Sequence, residues 1–326
     1  MSPKDNSLPF TRRSLIKSLG VALALGSFSI SASADTFKVA IVLPGVITDK
    51  SFNQAGYEGV VRAEKELGIE MAYSEKVPQP DQPQALADYA RRGYDLVIGH
   101  GGEFQESVGR IARRHPDTMF LVVNGSEPKK NMAVMQFDMK SMGYVMGYTA
   151  GKISSTGKGG YIGAQKVQSY TELGDGFSIG FKAARPDGEA LSAWTNDWDD
   201  IAKGKEAALN LISQGVDTIF PTMDNAVIGS LRAVKEKKAK GFGIYYDAIV
   251  DWPDTVMQSA ILDMRGALLT TIKTAKEGKL SGQVYRYGFE TPQAFRIGSF
   301  HPSVPAEIQA EVTSIVQQIE IGQLNP

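Results

Sequence analysis

Cysteine is absent from this chain of 326 residues, and histidine occurs only as His100, His115 and His301. The first absence excludes thiol nucleophiles, Cys-ligated zinc, disulfides and attachment of a lipid through cysteine. The second leaves little for metal or acid–base chemistry, since no two histidines stand four apart on a helical face. His100 follows an apolar run, where a cleft position is open to it, although a lone histidine is more often structural. No serine sits in a Gly-x-Ser-x-Gly elbow. The stretch Gly157-Lys158-Gly159-Gly160 precedes a predicted strand and so lacks the setting of a phosphate loop. A net charge of −1, with no Lys/Arg run interleaved with aromatics, argues against a nucleic-acid partner. No enzyme activity, metal or cofactor is therefore expected.

What is present begins with a leader. Arg12, Arg13 and Lys17 precede an uncharged, mostly apolar run over 19–30, and Ala32-Ser33-Ala34 follows. This is the n-region, h-region and small-residue cleavage pattern of a signal peptide, and the run is too short for a stable membrane span. The segment Thr11-Arg12-Arg13-Ser14-Leu15-Ile16-Lys17 has the twin-arginine character. Residues 1–34 are expected to be removed after Ala34. The mature chain would then begin at Asp35, free in the periplasm and without a lipid anchor.

Past the leader, extended apolar segments alternate with helical ones. Strands are predicted at 37–44, 71–77, 95–99, 118–123 and 132–137, with helices at 52–67, 80–92 and 103–114 between them. After a helix at 140–153 the rhythm restarts: strands at 160–163, 190–194, 218–221 and 242–247, with helices at 173–184, 201–213 and 226–237. A strand at 256–262, a helix at 265–276, a strand at 283–289 and a helix at 305–321 complete the chain. Repeated β-then-α steps build parallel sheets with helices on both faces, and two such modules give two doubly wound α/β lobes with a cleft between them. Ligands of such sheets bind beyond the carboxyl ends of the strands, so the segments there are the candidates.

After the first strand come Asp49, Lys50, Ser51, Phe52, Asn53 and Gln54. Ser51 is placed to cap the helix that starts at Phe52. Capping does not call for a large aromatic at the helix mouth, and a planar ligand would stack there. After the strand at 190–194 comes Thr195-Asn196-Asp197-Trp198-Asp199-Asp200, in which Asp199 is the expected helix cap and Trp198 a second stacking surface. Asp224 and Asp247 also follow strands, and each brings a carboxylate toward the expected cleft, though Asp224 is also placed to cap its helix.

The run Asp49-Lys50-Ser51-Phe52-Asn53-Gln54-Ala55-Gly56-Tyr57-Glu58-Gly59 closely resembles the opening motif of the basic membrane protein (BMP) family of ABC-transporter solute-binding proteins. The likeness continues through 143–151, 198–205 and 215–220. It implies a type I periplasmic-binding fold with a multi-strand hinge. Lobe 1 is expected from 35–140 plus roughly 248–281, and lobe 2 from 141–247 plus roughly 282–326, with the C-terminal helix free to pack back on lobe 1. It also implies a purine base or nucleoside held between two aromatics, here matched by Phe52 and Trp198. The acid at Asp247 would accept from ribose hydroxyls, and Asp49, Ser51, Asn53 and Asp224 would complete the ligand contacts. The implied partners are a small-molecule ligand and an ABC permease in the inner membrane, and a monomer is expected. Met223-Asp224-Asn225-Ala226 replaces a Gly-rich turn typical of nucleoside receptors, and a lysine common near Leu262-Asp263 is missing. These departures keep a free base, a differently decorated purine, or another flat heterocycle such as a flavin, within the expected ligands. A periplasmic sensor feeding a receptor is the alternative role, and a nucleoside hydrolase on this scaffold a third.

Overall fold

The computed structural model describes residues 36–48 and 52–326. The leader 1–34, its cleavage site, Asp35 and the loop residues 49–51 lie outside the described residues. The first module runs β1 (Lys38–Val42), α1 (Phe52–Leu67), β2 (Glu70–Ser74), α2 (Gln82–Arg91), β3 (Leu96–His100), α3 (Gln105–Ala112), β4 (Met119–Val123) and β5 (Met132–Phe137). The second runs α4 (Met139–Ile153), β6 (Lys158–Gly163), α5 (Gln168–Ala184), β7 (Glu189–Trp194), α6 (Ile201–Ser213), β8 (Thr218–Thr222), α7 (Ala226–Glu236) and β9 (Lys240–Ile244). The tail adds β10 (Val256–Leu262), α8 (Met264–Lys276), β11 (Val284–Tyr287), β12 (Phe295–Ile297) and α9 (Ala306–Glu320).

Among the described residues these strands form two six-stranded sheets, ordered β11-β5-β4-β3-β1-β2 and β12-β10-β9-β8-β6-β7. Each pairing is parallel except β10 with β12. The central strands are buried on both faces, as in Leu96–His100, because crossover helices cover both sides of a parallel sheet. This is the α/β, doubly wound, two-lobe architecture that the strand–helix rhythm leads one to expect.

The tail departs from the expected lobe boundaries. β10 was expected with lobe 1, yet it pairs with β9 and β12 in the second sheet. β11 was expected with lobe 2, yet it extends the first sheet beside β5, with Val284 opposite Val134. Helix α8 does pack on α1, as expected, through Leu268 and Arg265 against Gly59. Helix α9 lies on α4 of the second module, where Glu311 meets Lys152 and Tyr148. The chain thus passes between the sheets at β5 to β6, at β10 to β11 and at β11 to β12. β12 carries no predictive signal, being three residues long. The expected helical starts at 80 and 103 fall in short 3-10 turns.

One packing contact aims the second lobe at the cleft. A Cβ on Gly147 would lie 2.0 Å from the Phe177 carbonyl oxygen, and one on Gly180 equally close to that of Tyr144. Only glycine lets α4 and α5 approach backbone to backbone in this way. The glycines in the family-like stretch at 143–151 therefore serve helix packing, and the result seats the first turn of α5 beside the strand ends.

Candidate ligand-binding cleft

Two adjoining cavities open where the carboxyl ends of the two sheets face each other. One encloses about 400 Å³ and the other about 690 Å³, within the range of small-molecule sites. Phe52, Asn124, Phe137, Ser169, Tyr170, Asp224 and Tyr245 line both. They come from the start of α1, the ends of β4 and β5, the first turn of α5, and the turns after β8 and β9, so both sheets contribute.

Phe52 is held from beneath. The imidazole of His100 stacks on its ring with centroids 4.0 Å and planes 18° apart. His100 Nε2 lies 2.9 Å from the Phe52 carbonyl oxygen and must donate there, because a carbonyl only accepts. His100 is fully buried, and that burial removes it from the cleft wall offered to it by the sequence pattern. Asn53 lines the larger cavity, and its Oδ1 accepts from Gly45 N at 3.1 Å, tying α1 to the loop after β1. Asp49 and Ser51 lie outside the described residues.

Trp198 lines the larger cavity. Its ring makes a T-shaped contact with that of Tyr170, with centroids 4.8 Å and planes 68° apart. Its carbonyl accepts from Asp224 N and Ala226 N, joining the turn after β7 to the turn after β8. Asp197 Oδ1 accepts from the backbone of Asp199 and Asp200, and Asp200 Oδ1 accepts from Ala202 N and Lys203 N. The cap of α6 is thus Asp200; the expected cap, Asp199, instead accepts from Asn225 Nδ2 at 2.7 Å. The Asp199 N–H, then Lys203 and the Asp200 N–H, hold the Asp197 carboxyl below the usual carboxylate range.

Asp224 borders both cavities. Asp247 borders neither: its Oδ2 accepts from Ser299 N at 3.0 Å, and Gly298 packs against it. The side chain that turns from β9 into the cleft is Tyr245. Its φ of +72° is the left-handed region, strained for a bulky residue and characteristic of functional turns. Tyr245 Oη pairs with Tyr170 Oη at 2.5 Å. Burial, with Asp224 nearby, pushes both hydroxyls well above the ordinary tyrosine value, so both remain protonated donors. A further chain of hydroxyls, Thr222 to Tyr161 to the Tyr170 carbonyl, anchors this pair to the second sheet.

A profile of the Bmp family, described as ABC transporter substrate-binding protein PnrA-like, matches residues 36–320. This chain belongs to that family. It is 25% identical over 281 residues to the transcriptional activator protein Med of Bacillus subtilis, a match spanning 86% of this chain and 87% of that one. It is also 25% identical over 259 residues to a purine-binding protein of Brucella abortus, across 79% and 73% of the two chains. Among solved structures, a transcriptional activator of the comK gene from Bacillus halodurans matches with a TM-score of 0.79 at 25% identity, over 89% of this chain and 99% of that one. A solute-binding protein of an ABC transporter system from Aeropyrum pernix matches at 0.77 and 20% identity, over 89% and 92%, a likeness of fold alone. The fold is that of type I periplasmic-binding proteins.

A Bmp protein is the substrate-binding part of an ABC transporter, and its partners are a small-molecule ligand and a membrane permease. Such a part works outside the cytoplasmic membrane, in the periplasm or beyond the cell. Among the described residues no helix is long and apolar enough to cross a membrane.

The cleft of this Bmp protein holds residues that no motif marks. Among the described residues, Glu103, Gln136, Gln165, Gln168 and Glu172 give the larger cavity a polar, acidic wall with no lysine or arginine in it. Burial in this wall pushes the Glu103 carboxyl up, and its own backbone N–H partly offsets that. Asn124, with φ +55° just after β4, is the one of the unmarked residues whose position alone hints at a turn into the cleft.

Proposed function

We propose that this Bmp protein captures a purine-type base or nucleoside between its lobes and delivers it to an ABC permease. The observation that carries the reading is the convergence of Phe52, from the first lobe, and Trp198, from the second, on one cavity. Aromatic faces from opposite lobes can hold a flat heterocycle between them, and closing the lobes would desolvate both faces at once. Asn53 and Asp224 are the orienting polar groups, and Asp49 and Ser51 join them from the loop before α1. Asp247 shapes the turn that presents Tyr245 and acts on the ligand through it. The purine-binding relative of Brucella abortus, at 25% identity, supports the same ligand class. The leader 1–34 is the export signal of this reading, a twin-arginine type cleaved after Ala34, and N-terminal sequencing of the exported protein tests it.

The binding test is a thermal-shift screen of the chain from Asp35 with purine bases, nucleosides, flavins, sugars and amino acids. A ligand at a hundredfold its dissociation constant stabilises by about 2.7 kcal/mol, which moves the melt visibly. Shifts confined to purines support the reading, a shift by flavins alone moves it to another flat heterocycle, and shifts confined to sugars or amino acids overturn it.

A second reading is a ligand sensor that reports to a receptor, favoured by two relatives named as transcriptional activators. Neighbouring genes for a permease and an ATPase point to transport, and a neighbouring receptor kinase gene points to sensing.

A further inference from the structure

The smaller cavity differs in chemistry from the larger. Beyond Tyr245 its walls are Val227, Ile228 and Leu231 from α7, Ile244 at the end of β9, and Ala248 and Trp252 from the turn that follows. Leu231 and Ala248 join Val256 in a small hydrophobic cluster of their own, with Trp252 packed on it. Several polar groups that reach this chamber already hold one another. Arg265 Nε binds Glu58 Oε2 at 2.5 Å, Tyr246 Oη binds Asp251 Oδ2 at 2.7 Å, Asn225 Nδ2 binds Asp199 Oδ1 at 2.7 Å, and Tyr170 pairs with Tyr245. A sugar hydroxyl moved into the aliphatic end would give up water without a partner, which is unfavourable, whereas an alkyl group would only lose contact with water.

We propose that this chamber is a subsite for an apolar substituent, and that the preferred ligand is a flat heterocycle carrying an alkyl or aryl arm where a nucleoside carries its sugar. The inference rests on the reading that the cleft takes a purine-type ring. The ring occupies the polar cavity by Phe52 and Trp198, and the arm passes Tyr245 into the chamber, which is continuous with that cavity through the residues the two share.

Titration calorimetry on the chain from Asp35 tests this with adenine, its 9-methyl, 9-propyl and 9-benzyl derivatives, and adenosine. Burying each added methylene should tighten binding by roughly fourfold, the equivalent of about 0.8 kcal/mol, and the propyl and benzyl analogues should exceed adenosine. Ile228→Trp, which fills the chamber, should erase the gain from adenine to the propyl analogue. Trp252→Ala, which enlarges it, should move the optimum toward the longer arm and serves if the filled variant does not fold. If adenine binds and the arms add nothing, or adenosine binds tightest, the subsite is refuted while the purine reading stands. If no purine binds, the purine reading falls and the chamber is judged with benzene, a probe that dry apolar cavities accept. Benzene binding that Ile228→Trp abolishes would uphold an apolar subsite, and no benzene binding would overturn it.

Discussion

The imidazole of His100 lies flat against the ring of Phe52, 4.0 Å away and 18° from parallel, while its Nε2 donates to the Phe52 carbonyl at 2.9 Å. A fully buried histidine thus sets both the tilt of the cleft aromatic and the position of its backbone. His100→Leu keeps the volume but removes the stacking and the donor. Affinity for the best purine of the screen should fall between about twofold and about tenfold, the equivalent of one aromatic contact. An unchanged dissociation constant by calorimetry would show that Phe52 needs no such brace.

The Tyr170–Tyr245 pair should behave as a unit. Either Tyr170→Phe or Tyr245→Phe leaves the other hydroxyl buried without this partner, at a cost of about 1–3 kcal/mol. The double variant should cost less than the two single losses combined, because no orphaned hydroxyl remains. Urea unfolding of the four proteins reads the coupling, and strictly additive losses would refute it.

Helix packing should be intolerant at the α4–α5 crossing. Gly147→Ala puts a methyl 2.0 Å from the Phe177 carbonyl oxygen, so the helices must separate. Overpacking of this kind costs about 1–3 kcal/mol. The urea midpoint should drop with an unchanged slope, and ligand affinity should fall as well, since α5 carries Tyr170. A variant as stable as the parent would mean that the helices part at no cost.

The Trp198 turn should weaken in acid. The backbone donor at Asp199, then Lys203 and the backbone donor at Asp200, depress the Asp197 carboxyl in the folded state. A group with a lowered folded-state pKa contributes stability that is present above its unfolded value, about 4. That contribution is lost as pH falls through the lowered value. The difference in melting temperature between the parent and Asp197→Asn should therefore be largest near neutrality and shrink on acidification below about pH 4. A gap that stays constant into acid would remove Asp197 from this role.

Some of the cleft is legible in the chain because the signals are local. An aromatic after a strand, at the mouth of a helix, marks Phe52, and two tryptophans among acids mark Trp198. Tyr170 has no such signal, because it sits in the first turn of a helix whose apolar pattern begins only at Leu173. Asp247 illustrates the opposite case, a carboxylate near a strand end that lies outside both cavities and accepts from Ser299 N. The left-handed turn at Tyr245 decides which of its neighbours enters the cleft, and composition carries no trace of that turn.

Alternating apolar periodicity, read along the chain, was enough to determine two doubly wound modules, because burial on both faces of a parallel strand and on one stripe of a helix imposes those patterns locally. It placed most strands and helices, and the two aromatics at the cleft. Which sheet receives β10 and β11 was decided only in three dimensions, since a strand of either sheet looks alike until its hydrogen-bonding neighbour is known. The same holds for the Arg265–Glu58 ion pair and the Tyr170–Tyr245 hydroxyl pair of the smaller cavity. Their partners lie far apart in the chain, Glu58 and Arg265 among them, and only folding brings them together and leaves an apolar chamber behind them.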